Sequence, residues 1–129
     1  MTTTKMMWLA SPVTAVNVLV ASGFSIAALI SPQSVLPAGY APTESSTLFA
    51  LYAAARTIPL ALITLSAIYL RATSALLLLG TLAGVIQLLD AGIGLFQHDP
   101  GKFAGPFLIA VVQLSAVLLL NRSLREPRG

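Results

Sequence analysis

Four long apolar segments dominate the chain, and each is close to the roughly 20 residues that a membrane-spanning helix requires. With approximate bounds they cover residues 13–30, 48–70, 75–96 and 104–120, followed by a basic tail over 121–129. This pattern predicts an all-α fold in which residues 1–129 form one membrane domain, a four-helix transmembrane bundle with short links.

The links between the segments predict how the helices are arranged. The link over residues 31–44 contains three prolines and a glycine, which forbid a continuous helix and indicate an ordered or partly re-entrant loop. The links over 71–74 and 97–102 are short, so the second and third helices, and the third and fourth, should be antiparallel neighbours.

Composition agrees with a membrane protein, since 57% of the residues are apolar and only 9% are charged. Soluble domains carry roughly a quarter of charged residues. The chain has no cysteine, which excludes disulfides, thiolate metal sites and cysteine nucleophiles.

The basic residues predict the orientation of the bundle. One side of a four-span arrangement holds Lys5, Arg71, Arg122, Arg125 and Arg128, whereas Lys102 alone lies in a connection on the other side. The positive-inside rule then places both termini in the cytoplasm, and we expect the cytoplasmic (inner) membrane of a bacterium. No aromatic side chains are interleaved with these arginines, which argues against a nucleic-acid partner.

A cleaved signal peptide is the alternative interpretation of the first segment. Its apolar run of 18 residues is longer than the usual hydrophobic region of about 7–15 residues. A spanning helix is therefore the better interpretation.

Arg56 and Asp90 are the most informative polar residues, because each lies inside a predicted span. A charge at membrane depth costs upward of about 2.5 kcal/mol unless it is paired or solvated. Arg56 is eight residues beyond Leu48, about 12 Å along the second helix. Asp90 is six residues before Phe96, about 9 Å from the same side. These depths predict an ion pair between antiparallel neighbours.

Other polar side chains are expected to join this pair in the outer half of the bundle and to bind a substrate there. Tyr52 should stack on Arg56 at i−4, and Gln87 should share a helix face with Asp90 at i−3. The full expected set of substrate-binding residues is Tyr52, Gln87, Gln113, Ser25 and Glu44. Asn17 is expected near the cytoplasmic end, in a different environment. The alternative is a structural one, in which the buried pair only fixes helix register.

The third segment contains four glycines. Gly80 and Gly84 form a GxxxG motif, which indicates close approach of another helix either within the chain or across a homodimer. Gly92 and Gly94 follow Asp90 and would widen the mouth of a pocket or loosen the end of the helix.

The stretch from Arg56 through Arg71 to Leu88-Leu89-Asp90-Ala91-Gly92 resembles the small four-helix membrane proteins of the DoxX-like group. The resemblance implies a four-helix transmembrane bundle and carries over Arg56 and Asp90 as site residues. Named members of the group are linked to quinone-dependent thiosulfate oxidation.

Two functions lead, ahead of a small transporter, for which no inverted repeat is evident. The first is a polar pocket that binds a lipophilic small molecule and transforms it by isomerisation, cyclisation or hydrolysis. In that case Asp90 is the general acid or base, and Arg56 sets its charge. The alternative is a non-catalytic, quinone-associated subunit that works with a partner membrane protein. No cofactor motif or metal-ligand spacing is present, so neither a cofactor nor a metal is expected.

Overall fold

A computed structural model describes residues 2–126, and the prediction of an all-α, four-helix bundle is confirmed. Within these residues the elements are α1 (Thr3–Ile30), a short 3₁₀ turn (Pro32–Ser34), α2 (Glu44–Tyr69), α3 (Thr73–Phe96) and α4 (Pro100–Arg125). Each of the four α-helices is long enough and apolar enough to cross a bilayer. These are the spans of an integral membrane protein.

Helix α1 begins ten residues earlier than the predicted start at residue 13. The Thr2 side chain caps it by accepting a hydrogen bond from the Lys5 amide at 3.4 Å. Pro12 directly precedes the predicted start and would suit a first helical turn, but it lies inside the helix. A proline there removes only the hydrogen bond to the carbonyl of Trp8, and the apolar residues before it still pack on the bundle.

Helix α4 is also longer than the predicted span over 104–120. Asp99 caps its start, with Oδ1 accepting hydrogen bonds from the amides of Gly101 and Lys102 at 3.1 Å each. The first five residues of the predicted basic tail continue the helix as far as Arg125, and Arg128 lies outside the described residues.

Both ends of the described chain meet at one end of the bundle. Thr3 Oγ1 donates a hydrogen bond to the carbonyl of Ser123 at 3.1 Å, which joins the start of α1 to the last turns of α4. Arg71, in the α2–α3 turn, lines the same groove as Thr3. We call this the basic end, and the end with the α1–α2 loop and the α3–α4 turn the opposite end.

The interior of the bundle is built from small residues, and large aliphatic side chains cover the outside. One core cluster near the basic end contains Ala10, Leu76 and Ala116, and a second contains Val18, Ala61 and Ala83. Many large apolar side chains are exposed, which suits hydrocarbon rather than water as the surrounding solvent.

Helix α3 packs most extensively against α4, which confirms the prediction that they are neighbours. Gly94 makes part of this contact, because a Cβ at this position would overlap the backbone of Lys102 and Phe103. Helices α2 and α3 also touch, but α2 packs more extensively against α1.

The α1–α2 loop is ordered, as predicted. Lys102 Nζ donates to the carbonyl of Val35 at 3.0 Å and forms a salt bridge with Asp99 at 3.6 Å. Gln33 Nε2 donates to the carbonyl of Tyr40 at 2.8 Å and closes the loop on itself. The lysine on the opposite end therefore ties this loop to α4.

Two non-glycine residues adopt the left-handed conformation at helix ends. Arg71 follows α2 with φ of 52°, and His98 follows α3 with φ of 54°. The next amide in each case bonds back across the helix end, from Ala72 to Ala67 at 2.9 Å and from Asp99 to Gly94 at 3.1 Å. These are the bonds of a Schellman motif, whose left-handed position favours glycine.

Arg71→Gly and His98→Gly are each expected to raise the free energy of unfolding by about 0.5–1 kcal/mol, because glycine adopts the left-handed conformation without strain. Thermal unfolding in detergent micelles measures the change. Arg71→Ala is the control, since it removes the side chain but keeps the strain, and it should give no gain. A lower Tm for either glycine variant would contradict this assignment.

Gly94→Ala is expected to lower the free energy of unfolding by about 1–3 kcal/mol, since the added Cβ meets backbone that cannot rotate away. Gly92→Ala is the matched control two residues earlier, where no atom lies within 4 Å of the new Cβ. That variant should be neutral or more stable by about 0.5–1 kcal/mol. Equal effects of the two substitutions in the same unfolding assay would show that α3 and α4 are not in this contact.

Candidate functional site

A continuous chain of hydrogen bonds between buried side chains crosses the interior of the bundle. Gln87 Nε2 donates to Asn17 Oδ1 at 2.8 Å, and Asn17 Nδ2 donates to Gln113 Oε1 at 3.2 Å. Gln113 Nε2 then donates to Thr14 Oγ1 at 2.8 Å. We call these four residues the amide chain. It joins α1, α3 and α4 through groups that have no lipid or water to bond to.

Two glycines allow the amide chain to form. A Cβ on Gly80 would lie 2.8 Å from Val117 Cγ2 and 3.0 Å from Gln113 Nε2. A Cβ on Gly84 would lie 2.6 Å from Leu114 Cδ2. The GxxxG motif therefore lets α4 pack closely against α3. This is the first of its two predicted roles, close approach of a helix within the chain.

The position of Asn17 corrects our expectation that it lies near the cytoplasmic end. Because α1 begins at Thr3, Asn17 is fourteen residues into the helix, about 21 Å from the basic end. Gln87 is also fourteen residues beyond the start of its helix, Thr73. The two side chains therefore meet near the middle of the bundle rather than in separate environments.

Thr14 is the other member of the amide chain that the sequence analysis missed. It lies three residues before Asn17, so both side chains share one face of α1. Two polar residues at this spacing inside an apolar helix are the sequence signal for a buried hydrogen-bonding face. The predicted start at residue 13 placed both residues in the first turns of the helix and hid this signal.

Arg56 lies on the outside of the bundle, midway along α2. Its guanidinium carbon is 5.4 Å from the centre of the Tyr52 ring, and Nη1 donates to the Tyr52 carbonyl at 3.0 Å. The expected stacking of Tyr52 on Arg56 is confirmed, and the geometry is that of a cation–π contact.

Asp90 is also exposed, whereas Gln87 three residues before it is buried in the amide chain. The two side chains point in neighbouring directions on α3, about 60° apart, as the i−3 spacing predicts, but only Gln87 is covered by other helices. Asp90 is exposed because α2 packs little against this part of α3.

The predicted ion pair between Arg56 and Asp90 is not formed. Within residues 2–126 the only salt bridge joins Lys102 and Asp99. Helix rotation gives the reason, since Ala61 of α2 belongs to the same core cluster as Ala83 of α3. Asp90 is seven residues from Ala83 and points almost the same way, but Arg56 is five residues from Ala61 and is turned from it by about 140°.

In the described part of the chain, the remaining predicted site residues form no hydrogen bond or salt bridge with either charge. Ser25 is half-buried in α1. Glu44 is exposed at the start of α2 and lines a groove with Pro42, Thr47 and Leu51. The structure thus brings together Gln87 and Gln113, and Tyr52 and Arg56, but does not join the whole expected set in one pocket.

The buried and the exposed polar groups differ in the chemistry that they can perform. The amides and hydroxyl of the amide chain do not ionise at neutral pH, and their hydrogen bonds hold α1, α3 and α4 together. Asp90 carries the carboxyl group that α3 presents to the surface, so it is the group able to act as an acid, a base or an anion. Within residues 2–126 no group of three or more histidine or acidic side chains could hold a metal ion.

Comparisons with family models, curated proteins and solved structures find no match to this chain. The resemblance to the DoxX-like group therefore stays a prediction.

Thr14→Val is expected to lower the free energy of unfolding by about 1–2 kcal/mol, because it leaves the Gln113 amide without an acceptor. Thr64→Val is the matched control, since both threonines are 0% exposed and Thr64 bonds only to the Leu60 carbonyl of its own helix, at 2.7 Å. Its cost should stay below about 0.5 kcal/mol. Unfolding in mixed micelles at rising dodecyl sulfate fraction compares them, and equal losses would mean that the amide chain does not form.

Proposed function

We propose that this integral membrane protein binds a lipophilic small molecule at Asp90, on the lipid-facing margin between α2 and α3. The observation that carries the proposal is an exposed carboxyl group inside a membrane span. No hydrogen bond or salt bridge from residues 2–126 reaches the Asp90 side chain.

The depth of Asp90 supports a ligand from the membrane rather than from water. Asp90 is seventeen residues beyond Thr73, about 26 Å from the basic end and about 9 Å from the end of α3 at Phe96. Its exposed neighbours on α3 include Leu89 and Ile93, which are 65% and 55% exposed. A molecule with an apolar body and one polar group would place that group on the carboxyl and its body on these side chains.

Limited packing between α2 and α3 supports an entry from the side. Ala83 of α3 and Ala61 of α2 belong to one core cluster with Val18 of α1, and Asp90 lies two turns beyond Ala83 toward the opposite end on nearly the same face. A ligand dissolved in the bilayer would reach this margin without entering the core, which the amide chain fills.

In a catalytic form of this function, Asp90 is the acid or base. A carboxylic acid would donate a proton to an alkene, epoxide or carbonyl group, and the carboxylate would later recover it during cyclisation or isomerisation. Hydrolysis would instead use the carboxylate to activate a water molecule. Arg56 is turned away from Asp90, so its contribution would be to the field around the site and not a direct contact.

The exposed position of Arg56 supports a second candidate, a subunit that works with a partner membrane protein. Arg56 lies midway along α2 and has no carboxylate partner within residues 2–126. A carboxylate on a partner helix would neutralise it at this depth. The resemblance to the DoxX-like group makes a quinone-associated redox complex the form to test.

Native mass spectrometry of the gently extracted protein tests the proposal. The wild type should retain a small lipophilic molecule, and Asp90→Asn should lower its occupancy at least tenfold because the amide cannot supply the charge or the proton. Glu126→Gln is the matched control, which removes an equal charge from an exposed position at the basic end. It should keep the ligand.

A wild type that carries no ligand, or an Asp90→Asn variant that retains it fully, would contradict ligand binding at Asp90. Size-exclusion chromatography confirms that each variant is still folded. Copurification of another membrane protein that is lost from Arg56→Gln would favour the partner subunit instead.

A further inference from the structure

A second candidate site lies at the basic end, far from Asp90. An open groove of about 380 Å³ runs between the start of α1 and the α2–α3 turn. Its polar lining comes from Thr3, Thr4, Ser11, Arg71 and Thr73, and its apolar lining includes Trp8. No hydrogen bond within residues 2–126 uses the side chains of Thr4, Ser11 or Thr73. The groove therefore offers one guanidinium group and three free hydroxyl groups.

The charges around this groove favour an anion. Arg71 is exposed in the groove, and the further cations Lys5, Arg122 and Arg125 lie at the same end of the bundle. At the opposite end, Lys102 is already engaged with Asp99 and with the Val35 carbonyl. Glu126 is the one acidic residue at this end within residues 2–126, so the end where the groove opens carries a net positive charge.

The surroundings of the groove favour a lipid as the source of that anion. It lies at the end of membrane-spanning helices, at the level where a bilayer presents its phosphate groups. Trp8 is 71% exposed at its edge, and tryptophan is enriched at this level of a membrane. Met7 and Ile68 supply apolar surface next to the polar groups, which suits the glycerol and the first carbons of an acyl chain.

We propose that this groove binds the headgroup phosphate of an acidic phospholipid. Arg71 pairs with the phosphate, and Trp8 packs beside the lipid glycerol. Thr4 and Ser11 are seven residues apart on α1, about 10 Å, so the hydroxyls of Thr4, Ser11 and Thr73 are shared between the phosphate oxygens and the ester oxygens of the glycerol. The site is independent of Asp90, which lies about 26 Å away along α3.

Trp8 makes the proposal directly measurable, because it is the only tryptophan of the chain. The protein is reconstituted into phosphatidylcholine vesicles that contain a small, equal fraction of either brominated phosphatidylglycerol or brominated phosphatidylcholine. Bromine near the glycerol quenches Trp8 fluorescence when that lipid occupies the groove. For the wild type we expect the apparent affinity for phosphatidylglycerol to exceed that for phosphatidylcholine about fivefold or more, as one paired basic residue would give.

Two variants of Arg71 carry the test. Arg71→Gln removes the charge, and Arg71→Gly removes it while relieving the left-handed backbone, so that a loss of lipid preference cannot come from misfolding. Both should reduce the preference to about onefold. Arg125→Gln is the matched control, since it removes an equal charge from the same end but outside the groove, and it should keep most of the preference.

Three outcomes would overturn the proposal. The first is equal quenching of the wild type by both lipids, and the second is an equal loss of preference in Arg125→Gln, which would indicate general attraction and not a site. The third is loss of the phosphatidylglycerol signal on addition of millimolar inorganic phosphate, which would assign the groove to a free phosphate instead of a lipid.

Discussion

The fold depends on a requirement of the bilayer, namely that every polar group inside it must find a partner within the protein. The amide chain meets this requirement for four side chains at once and fixes the rotation of α1, α3 and α4 about their axes. Gln113 is its centre, since this one side chain bonds to both Asn17 and Thr14 of α1. In lipid, apolar burial gives helices little reason to associate, so hydrogen bonds and close packing must supply the specificity. The amide chain supplies the first, and the glycines of α3 supply the second.

This arrangement decides where charge can be placed. Gln87 is held in the core, whereas Asp90, one turn further toward the opposite end, is exposed where α2 packs little against α3. Arg56 reaches the surface on another side of α2 and is partly satisfied by Tyr52 of its own helix. The amide chain fills the interior between α1, α3 and α4, so both proposed sites lie outside it, at the lipid-facing margin and at the basic end. The site at Asp90 would then select molecules by their solubility in the bilayer, and the groove at Arg71 would select lipids by headgroup.

Much of the fold could be predicted from sequence, because the length and apolarity of a spanning helix are local properties. The four helices and the close helix approach at Gly80 and Gly84 follow from such signals. The start of α1 could not be placed from the apolar run alone, since Pro12 suggested a first turn while Thr2 supplies the cap. Because the predicted start of α1 was ten residues too late, Asn17 was expected near the cytoplasmic end and not at the centre of the bundle. The ion pair between Arg56 and Asp90 was predicted from depth, but a contact also needs rotation, and rotation is set by partners on other helices.

The most direct test of this division between core and surface is to identify which side chains contact lipid acyl chains. The wild-type chain is reconstituted with lipids that carry a photoreactive diazirine on the acyl chain, illuminated and digested, and mass spectrometry then locates the attached lipid. The account predicts adducts at Leu89 and Asp90 on α3 and around Tyr52 and Arg56 on α2, with none at Asn17, Gln87 or Gln113. Adducts on the three amides, or protection of Asp90, would contradict it, because the amides would then face the lipid and the carboxyl would belong to the core.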